Sequence, residues 1–352
     1  MIAEIDTPFA IGPVEIPSRL VLAPMAGVSV QAFRRQGRRF GAGLVCSEMV
    51  SCAGLHHRNE KTLSYLRIAA DERPLSVQIF GSEPTMMAEA ATMVVEAGAD
   101  IVDLNFGCPV NKVTKTGAGA TLLENTDSAR RIVSAVADAV DAPVTVKMRR
   151  GLRDGSCAAL DLGPRLVEAG AQALTLHPRS ARQMYTGSAD HELTRELVSL
   201  VDVPVIASGD VRRPKEARDV LAQTGCTAVM VGRAAQGNPW AIASILNNHE
   251  VAPSHVEIVA ELLLFIRETA RELGERRATG FLRKFYGWYL SCGRFPRAVK
   301  QELVQLEPIK TVEARLLELE PAAADRLEEL MTDVPATDDR LLNLPISVYG
   351  GG

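Results

Sequence analysis

The sequence predicts an α/β protein, a parallel (β/α)8 or TIM barrel followed by a smaller C-terminal all-helical domain. Two patterns and one absence predict it. Eight short runs rich in β-branched and aliphatic residues recur between residues 20 and 232. Most are apolar at nearly every position, as strands buried on both faces must be. Helix-like stretches separate most of these runs. No dinucleotide-type glycine fingerprint follows the first run, and together with the count of eight this favours a closed barrel over an open, doubly wound sheet.

In chain order, strands are expected at LVLAP (20–24), LVCSE (44–48), LSVQIF (75–80), IVDLN (101–105), VTVKM (144–148), ALTLH (173–177), VPVIA (203–207) and AVMVG (228–232). Between them, PTMMAEAATMVVEAGA (84–99) has apolar spacing near 3.6 and runs out at Gly98. TDSARRIVSAVADAV (126–140) opens on a threonine suited to capping a helix. PKEARDVLAQTG (214–225) begins with proline and ends with glycine, the usual asymmetry of a helix. The GAGAT stretch at 117–121 comes after the fourth strand and is no nucleotide fingerprint. Beyond about residue 245 the strand signal stops. HVEIVAELLLFIRETARELGE and ATGFLRKFYGWYLS read as helices, two or three helical pieces follow to about residue 332, and LPISVYGGG reads as a tail. The expected divisions are 1–245 for the barrel, 246–335 for the helical domain and 336–352 for the tail.

The length of 352 residues suits one barrel with an appendage. A composition of 47% hydrophobic and 23% charged residues is that of a soluble globular protein, and a net charge of -4 offers no global electrostatic case for nucleic acid. The distribution is less even. Residues 266–300 carry nine Arg/Lys against three Glu, whereas 301–340 carry eleven Asp/Glu against four Arg/Lys. The six cysteines form neither a C-x-x-C pair nor a Cys/His cluster of zinc spacing, so no metal is expected and a reducing cytoplasm is. No basic-then-apolar leader opens the chain, and no apolar run approaches a membrane span.

Active residues of this barrel class lie at the C-terminal ends of the strands. Those ends carry Pro24 and Met25, Ser47 and Glu48, Gln78, Asn105 and Cys108, Lys147 and Arg149, His177 and Arg179, Ser208 to Asp210, and Gly232 with Arg233. Small residues in SGDVRRP and VGRAAQGNP, after strands seven and eight, allow backbone N–H groups to approach a phosphate, with Arg233 adding a planar cation. Lys147 ends a buried strand and needs an anionic or electron-rich partner at the mouth. His177 ends the neighbouring strand, which favours a role beside Lys147 over a purely structural one. Cys108 follows a strand end and precedes a proline, with Lys112 and Lys115 close enough in sequence to lower its pKa or to attract an anion. A thiol there acts as nucleophile or as proton donor. No Cys–His–Asp arrangement is visible in the sequence, which favours the donor.

The motifs APMAGVS (23–29), SEM (47–49), VQIFG (77–81), DLNFGCPVNKVTKTGAGATLL (103–123), VTVKMRRG (144–151), LTLHPRSARQMYTGSAD (174–190), VIASGDV (205–211) and VGRAAQGNPW (231–240) together resemble the tRNA-dihydrouridine synthases, most closely the bacterial synthase B branch. The likeness runs from about residue 10 to 320, and RKFYGWYL (283–290) falls where that family has its helical RNA-binding domain. The resemblance implies a flavoenzyme in which FMN takes hydride from NADPH, or from NADH, and passes it to C6 of a tRNA uridine while Cys108 protonates C5. It implies that Pro24, Met25 and Ala26 line the flavin, that Gln78 and Lys147 hydrogen-bond its ring with His177 nearby, and that Ser208, Gly209, Asp210, Gly232 and Arg233 hold its phosphate end. It assigns Asn105 to the target uracil and Arg179, Arg182, Arg283 and Lys284 to RNA. A monomer is expected. Two positions depart from the family pattern: Pro178 stands where glycine is usual and Ser208 where asparagine is usual. Both bear on cofactor affinity. The rival readings are a flavin barrel acting on a small pyrimidine and a regulatory RNA-binding protein with a vestigial flavin pocket.

Overall fold

The computed structural model describes residues 4–333, so the expected tail at 336–352 lies outside the described residues. Eight parallel strands close a barrel: β1 (Leu20–Leu22), β2 (Leu44–Cys46), β3 (Leu75–Phe80), β4 (Ile101–Phe106), β5 (Val144–Arg149), β6 (Ala173–His177), β7 (Val205–Ser208) and β8 (Ala228–Val231). Each pairs with the next, and β8 pairs with β1, which completes the ring. All eight strands expected from the sequence are present. The helix Pro84–Glu96 buries Met87, Ala90, Ala91 and Val94 against its neighbours, which is the stripe its 3.6-residue spacing predicts. The helix Thr126–Ala139 is capped one residue earlier than expected, because the Asn125 side chain accepts from the Ser128 N–H.

An antiparallel hairpin, Phe9–Ile11 with Val14–Ile16, was not expected. Its Ile11 and Ile16 are fully buried and join Leu44, Ile101, Ala173, Ile206 and Ala228 in the barrel interior, plugging the end opposite the strand C-termini. The turn needs Gly12, which has φ +54°, and an added Cβ would lie 2.1 Å from the Gln172 Oε1.

The C-terminal region is helical, with His255–Leu273, Glu275–Cys292, Arg297–Leu303, Ile309–Leu319 and Ala323–Asp333. Ser254 and Glu257 form a capping box at its start. Phe285, Tyr286 and Tyr289 are buried, with Phe265 and Phe285 4.6 Å apart, so the aromatic residues of RKFYGWYL build core. Residues of the acidic segment pair with basic ones, Glu313 with Arg267 and Glu302 with Arg315.

This region packs on the barrel helix Gln31–Arg39, a polar sequence (QAFRRQGRR) that is nonetheless buried over most of its length. The compensation is ionic. Arg35 meets Asp71 at 2.7 Å and Glu268 at 2.9 Å, and Arg39 and Gln36 both meet Glu261 at 2.6 Å. The Glu272 carboxylate accepts from the N–H groups of Gln31 and Ala32 at 3.0 and 3.1 Å, capping that helix from the other region. Among the described residues no helix is long and apolar enough to cross a membrane.

Candidate active site

The strand C-termini surround a cleft of about 370 Å³, which continues into a smaller cavity of about 110 Å³ at the ends of β7 and β8. Pro24, Met25, Lys147, His177, Tyr185 and Arg233 border both spaces.

Cys108 sits on the turn after β4, half-buried at the cleft. The Asn105 Oδ1 accepts from the backbone N–H groups of Gly107 and Cys108 at 3.0 and 2.8 Å and so fixes the turn. The small residues downstream have a steric reason. Ala120 N–H donates to the Cys108 carbonyl at 3.0 Å, and a Cβ on Gly119 (φ +63°) would lie 2.7 Å from that carbonyl oxygen. Burial pushes the Cys108 thiol pKa up, against the opposing effects of the Val110 N–H and Arg149. The thiol is therefore protonated at neutral pH. Lys112 and Lys115 are exposed and are not among the groups acting on it, so the expectation that they lower its pKa does not hold.

Behind the turn lies a polar layer of the barrel interior. Gln78, Asp103 and Thr145 are register partners on adjacent strands. Asp103, 4% exposed, accepts from Gln78 Nε2 at 2.6 Å and from Thr145 Oγ1 at 2.7 Å. The Gln78 Oε1 accepts from Asn105 Nδ2 at 2.7 Å. Gln78 and Asn105, expected at the flavin ring and the uracil, both border the cleft, but each has both ends of its amide engaged within the protein. Asp103 was missed in the sequence. The signal was a carboxylate in the middle of an otherwise apolar strand.

Lys147 is the register partner of Asn105. Its ammonium makes no hydrogen bond to any of the described residues, although it borders the cleft. Burial lowers its pKa to about 8, helped by Arg149 and opposed by Asp103. His177 is held far below its ordinary pKa by burial and by Lys147, Arg149, Arg179 and Arg233, so it is neutral. Tyr185 is exposed at the rim with its ring centroid 4.3 Å from the Arg233 guanidinium, a cation–π contact absent from the sequence reading.

The smaller cavity is bordered by Ser208, Gly209, Asp210, Gly232 and Arg233, which the structure thus brings together. Gly209 has φ +116°, and a Cβ there would lie 2.9 Å from the His177 ring. The Asp210 carboxylate does not serve an anion. It pairs with Arg179 at 2.7 Å and Arg212 at 3.0 Å and accepts from the Ala189 N–H. Burial pushes its pKa up, but the Ala189 N–H and Arg179 outweigh this and hold it below the usual range.

The residues expected at RNA are not equally placed. Arg179 is 1% exposed and bonds to Asp210 and to the carbonyls of Thr186 and Gly187, so it braces the β6 loop and cannot face RNA. Arg182 is exposed in an open groove with Lys115 and Arg153, beside Pro109. Arg283 is exposed but paired with Glu307. Lys284 donates to the Gly27 carbonyl and lies 4.3 Å from the Phe281 ring centroid.

Fold and site together define a (β/α)8-barrel enzyme with a protonated thiol at a mouth lined by Lys147, Arg149 and Arg233. The architecture is shared with morphinone reductase (TM-score 0.55, 14% identity, 72% of this chain and 92% of that one). It is also shared with histamine dehydrogenase from Rhizobium sp. 4-9 (TM-score 0.59, 13% identity, 92% and 64%). At such identities the likeness is one of fold. Sequence likeness is far closer to the tRNA-dihydrouridine synthase B of Pseudomonas aeruginosa, 41% identical over 286 residues that cover 80% of this chain and 86% of the relative. The tRNA-dihydrouridine synthase B of Vibrio vulnificus is 38% identical over 312 residues, covering 85% and 97%. Residues 21–326 match the dihydrouridine synthase family model, and the chain belongs to that family.

Proposed function

We propose that this protein reduces specific uridines of tRNA to 5,6-dihydrouridine, with FMN as resident cofactor and NADPH, or alternatively NADH, as electron donor. The observation that carries the reading is the pairing of a protonated Cys108 with the unpartnered Lys147 ammonium across one cleft. The residues fit FMN. Gly209 keeps the small cavity free of a side chain that would strike His177, Arg233 borders it as a cation, and Lys147 offers a donor where the ring would lie. Ser208 borders the small cavity despite its shorter side chain, and Pro178 still offers its carbonyl, which accepts from the Asp190 N–H.

FMN, when bound, supplies hydride chemistry between the nicotinamide and C6 of the uracil. The remaining work belongs to the chain. Pro24, Met25 and Ala26 wall one side of the cleft and exclude water. Lys147 stabilises negative charge on the ring bound beside it. Neutral His177 contributes a hydrogen bond without a competing charge. As the C5=C6 bond takes hydride at C6, C5 becomes basic and takes the proton of the Cys108 thiol. The resulting thiolate is reprotonated from solvent. A thiol whose pKa is pushed up by burial keeps its proton across neutral pH, as an acid requires.

The tRNA reading rests on exposed basic residues of the helical region and of the groove beside Pro109. Region 246–335 acts as a tRNA-binding domain, with Arg276, Arg277, Arg294 and Arg297 exposed for phosphates. The groove of Lys115, Arg153 and Arg182, which shares Pro109 with the cleft, takes the backbone there. The target base must leave its stack to reach Cys108. The protein works as a cytoplasmic monomer. The test is to purify it, record its visible spectrum, and follow NADPH oxidation with and without unmodified tRNA. A flavin spectrum and dihydrouridine in the tRNA are expected, with Cys108→Ala losing the uridine step at least a hundredfold. Bound flavin without an RNA product sinks the tRNA reading, and a Cys108→Ala enzyme of normal turnover sinks the thiol's role.

A further inference from the structure

We infer that Asp103 is a positioning residue for the Cys108 proton donor, acting through Gln78 and Asn105. The inference rests on the reading of Cys108 as the acid. Its geometry is a chain of donors and acceptors with one permitted direction. Two backbone N–H groups, of Gly107 and Cys108, point at the Asn105 side chain and require an oxygen there. The Asn105 amide nitrogen then faces Gln78, which must present its own oxygen. The Gln78 nitrogen is left facing inward, and only an acceptor can meet it. Asp103 is that acceptor, and its second oxygen is occupied by the Thr145 hydroxyl.

Every link is thus fixed from both ends. The acceptor at position 103 sets the orientation of the Gln78 amide, which sets that of Asn105, which holds the turn carrying the thiol. An inverted Asn105 would place its amide nitrogen against the two N–H groups and release the turn. A buried network of this kind specifies one geometry only when all its members are satisfied. Charge is not what the network needs. It needs an acceptor at one distance.

That distinction makes the inference testable against the simplest alternative, in which Asp103 acts only as a counter-charge to Lys147. Asp103→Asn removes the charge and keeps the chain, since the asparagine oxygen accepts from Gln78 while its nitrogen donates to Thr145. Asp103→Glu keeps the charge and displaces the acceptor by one methylene. Three quantities are measured on flavin-loaded enzyme: the rate of flavin reduction by NADPH, the single-turnover rate of uridine reduction in tRNA, and the alkylation rate of Cys108 by iodoacetamide, read by mass spectrometry at that residue. Asp103→Asn is expected to retain at least a third of the uridine rate and an alkylation rate within twofold of the parent. Asp103→Glu is expected to lose at least tenfold in uridine reduction, to change alkylation more than threefold, and to leave flavin reduction within threefold. If Asp103→Glu does not fold, Asp103→Leu replaces it, as it removes the acceptor outright. The reverse order, with Asp103→Asn impaired and Asp103→Glu intact, overturns the inference, as does unchanged Cys108 alkylation in every variant. If both disruptive variants fail to fold, a tenfold loss in Asp103→Asn still overturns it. An active Cys108→Ala enzyme removes the premise instead, so the two failures are distinct.

Discussion

Lys284, on the helix Glu275–Cys292, donates to the Gly27 carbonyl, while Glu48 at the end of β2 accepts from the Gly27 N–H at 2.6 Å. One residue of the β1 loop is thereby held from both sides, by the barrel below and by the helical region above. That loop also carries Met25 and Ala26 into the cleft. Burial pushes the Glu48 pKa up and the Lys284 pKa down, and each is partly restored by the other's charge. The lysine expected to touch RNA therefore couples the helical region to the wall of the active site.

Replacing Lys284 with methionine separates these roles. The side chain is exposed, so stability should change by no more than about 1 kcal/mol. If Lys284 sets the β1 loop, kcat for uridine reduction should fall about fivefold to tenfold with the affinity for tRNA little changed. A rise in KM alone, with a shallower salt dependence, would instead show a phosphate contact. Steady-state kinetics at two salt concentrations decide between them.

Gly209→Ala tests the phosphate end. The substitution meets both a left-handed φ of +116° and a Cβ position 2.9 Å from the His177 Cδ2. Strain of this kind costs on the order of 1–3 kcal/mol, and relieving it means moving either the loop or the imidazole. The affinity for FMN should drop about tenfold to a hundredfold, measured by flavin fluorescence on release, while the far-UV spectrum of the fold is retained.

The eight strands could be read in the sequence because a buried parallel strand is apolar on both faces, and no neighbour is needed to recognise it. The thiol, the lysine and the two glycine-bearing loops followed from the strand ends. Three features did not. The hairpin at Phe9–Ile16 has strands of three residues, too short for a periodic signal. Asp103 is one carboxylate within an apolar run, and its meaning depends on Gln78 and Thr145, which are neighbours only once the strands are in register. The helix Gln31–Arg39 was not identified from the sequence, and the acids that neutralise its arginines come from residues 71–72 and 261–272. The RNA role that the resemblance assigned to Arg179 fails for the same reason, since only the fold brings Asp210 to it.

The pH profile of the uridine step tests the proposed role of the Cys108 thiol. The acid must carry its proton, and burial raises its pKa above the ordinary thiol value. Activity on this limb should thus hold level through neutral pH and fall only as pH rises through the raised pKa. Cys108→Ser, a far weaker acid, should give a slow enzyme that lacks this high-pH limb and keeps only the loss from Lys147 near 8. Single-turnover rates between pH 6 and 10, with flavin pre-reduced, measure it. A limb above the Lys147 one that persists in Cys108→Ser would assign the titration to another group.

The interface between barrel and helical region makes the last prediction. Burial pushes the Glu268 carboxyl up to about 7, with Arg35 and Arg39 opposing the shift. Arg35 lies 2.9 Å away, yet neither Glu268 oxygen has a hydrogen bond of good geometry, so the pair is close but poorly aligned. A folded-state pKa raised above the unfolded value means that the folded protein holds the proton more tightly. The associated stability is full below about pH 4 and is lost as pH rises through about 7. Glu268→Gln imitates the protonated form at every pH. It should match the parent near pH 4–5 and exceed it at pH 8, by on the order of 2 kcal/mol. Urea unfolding at the two pH values is the measurement. A variant less stable than the parent at pH 8 would show that the ion pair with Arg35 outweighs the cost of burying the charge.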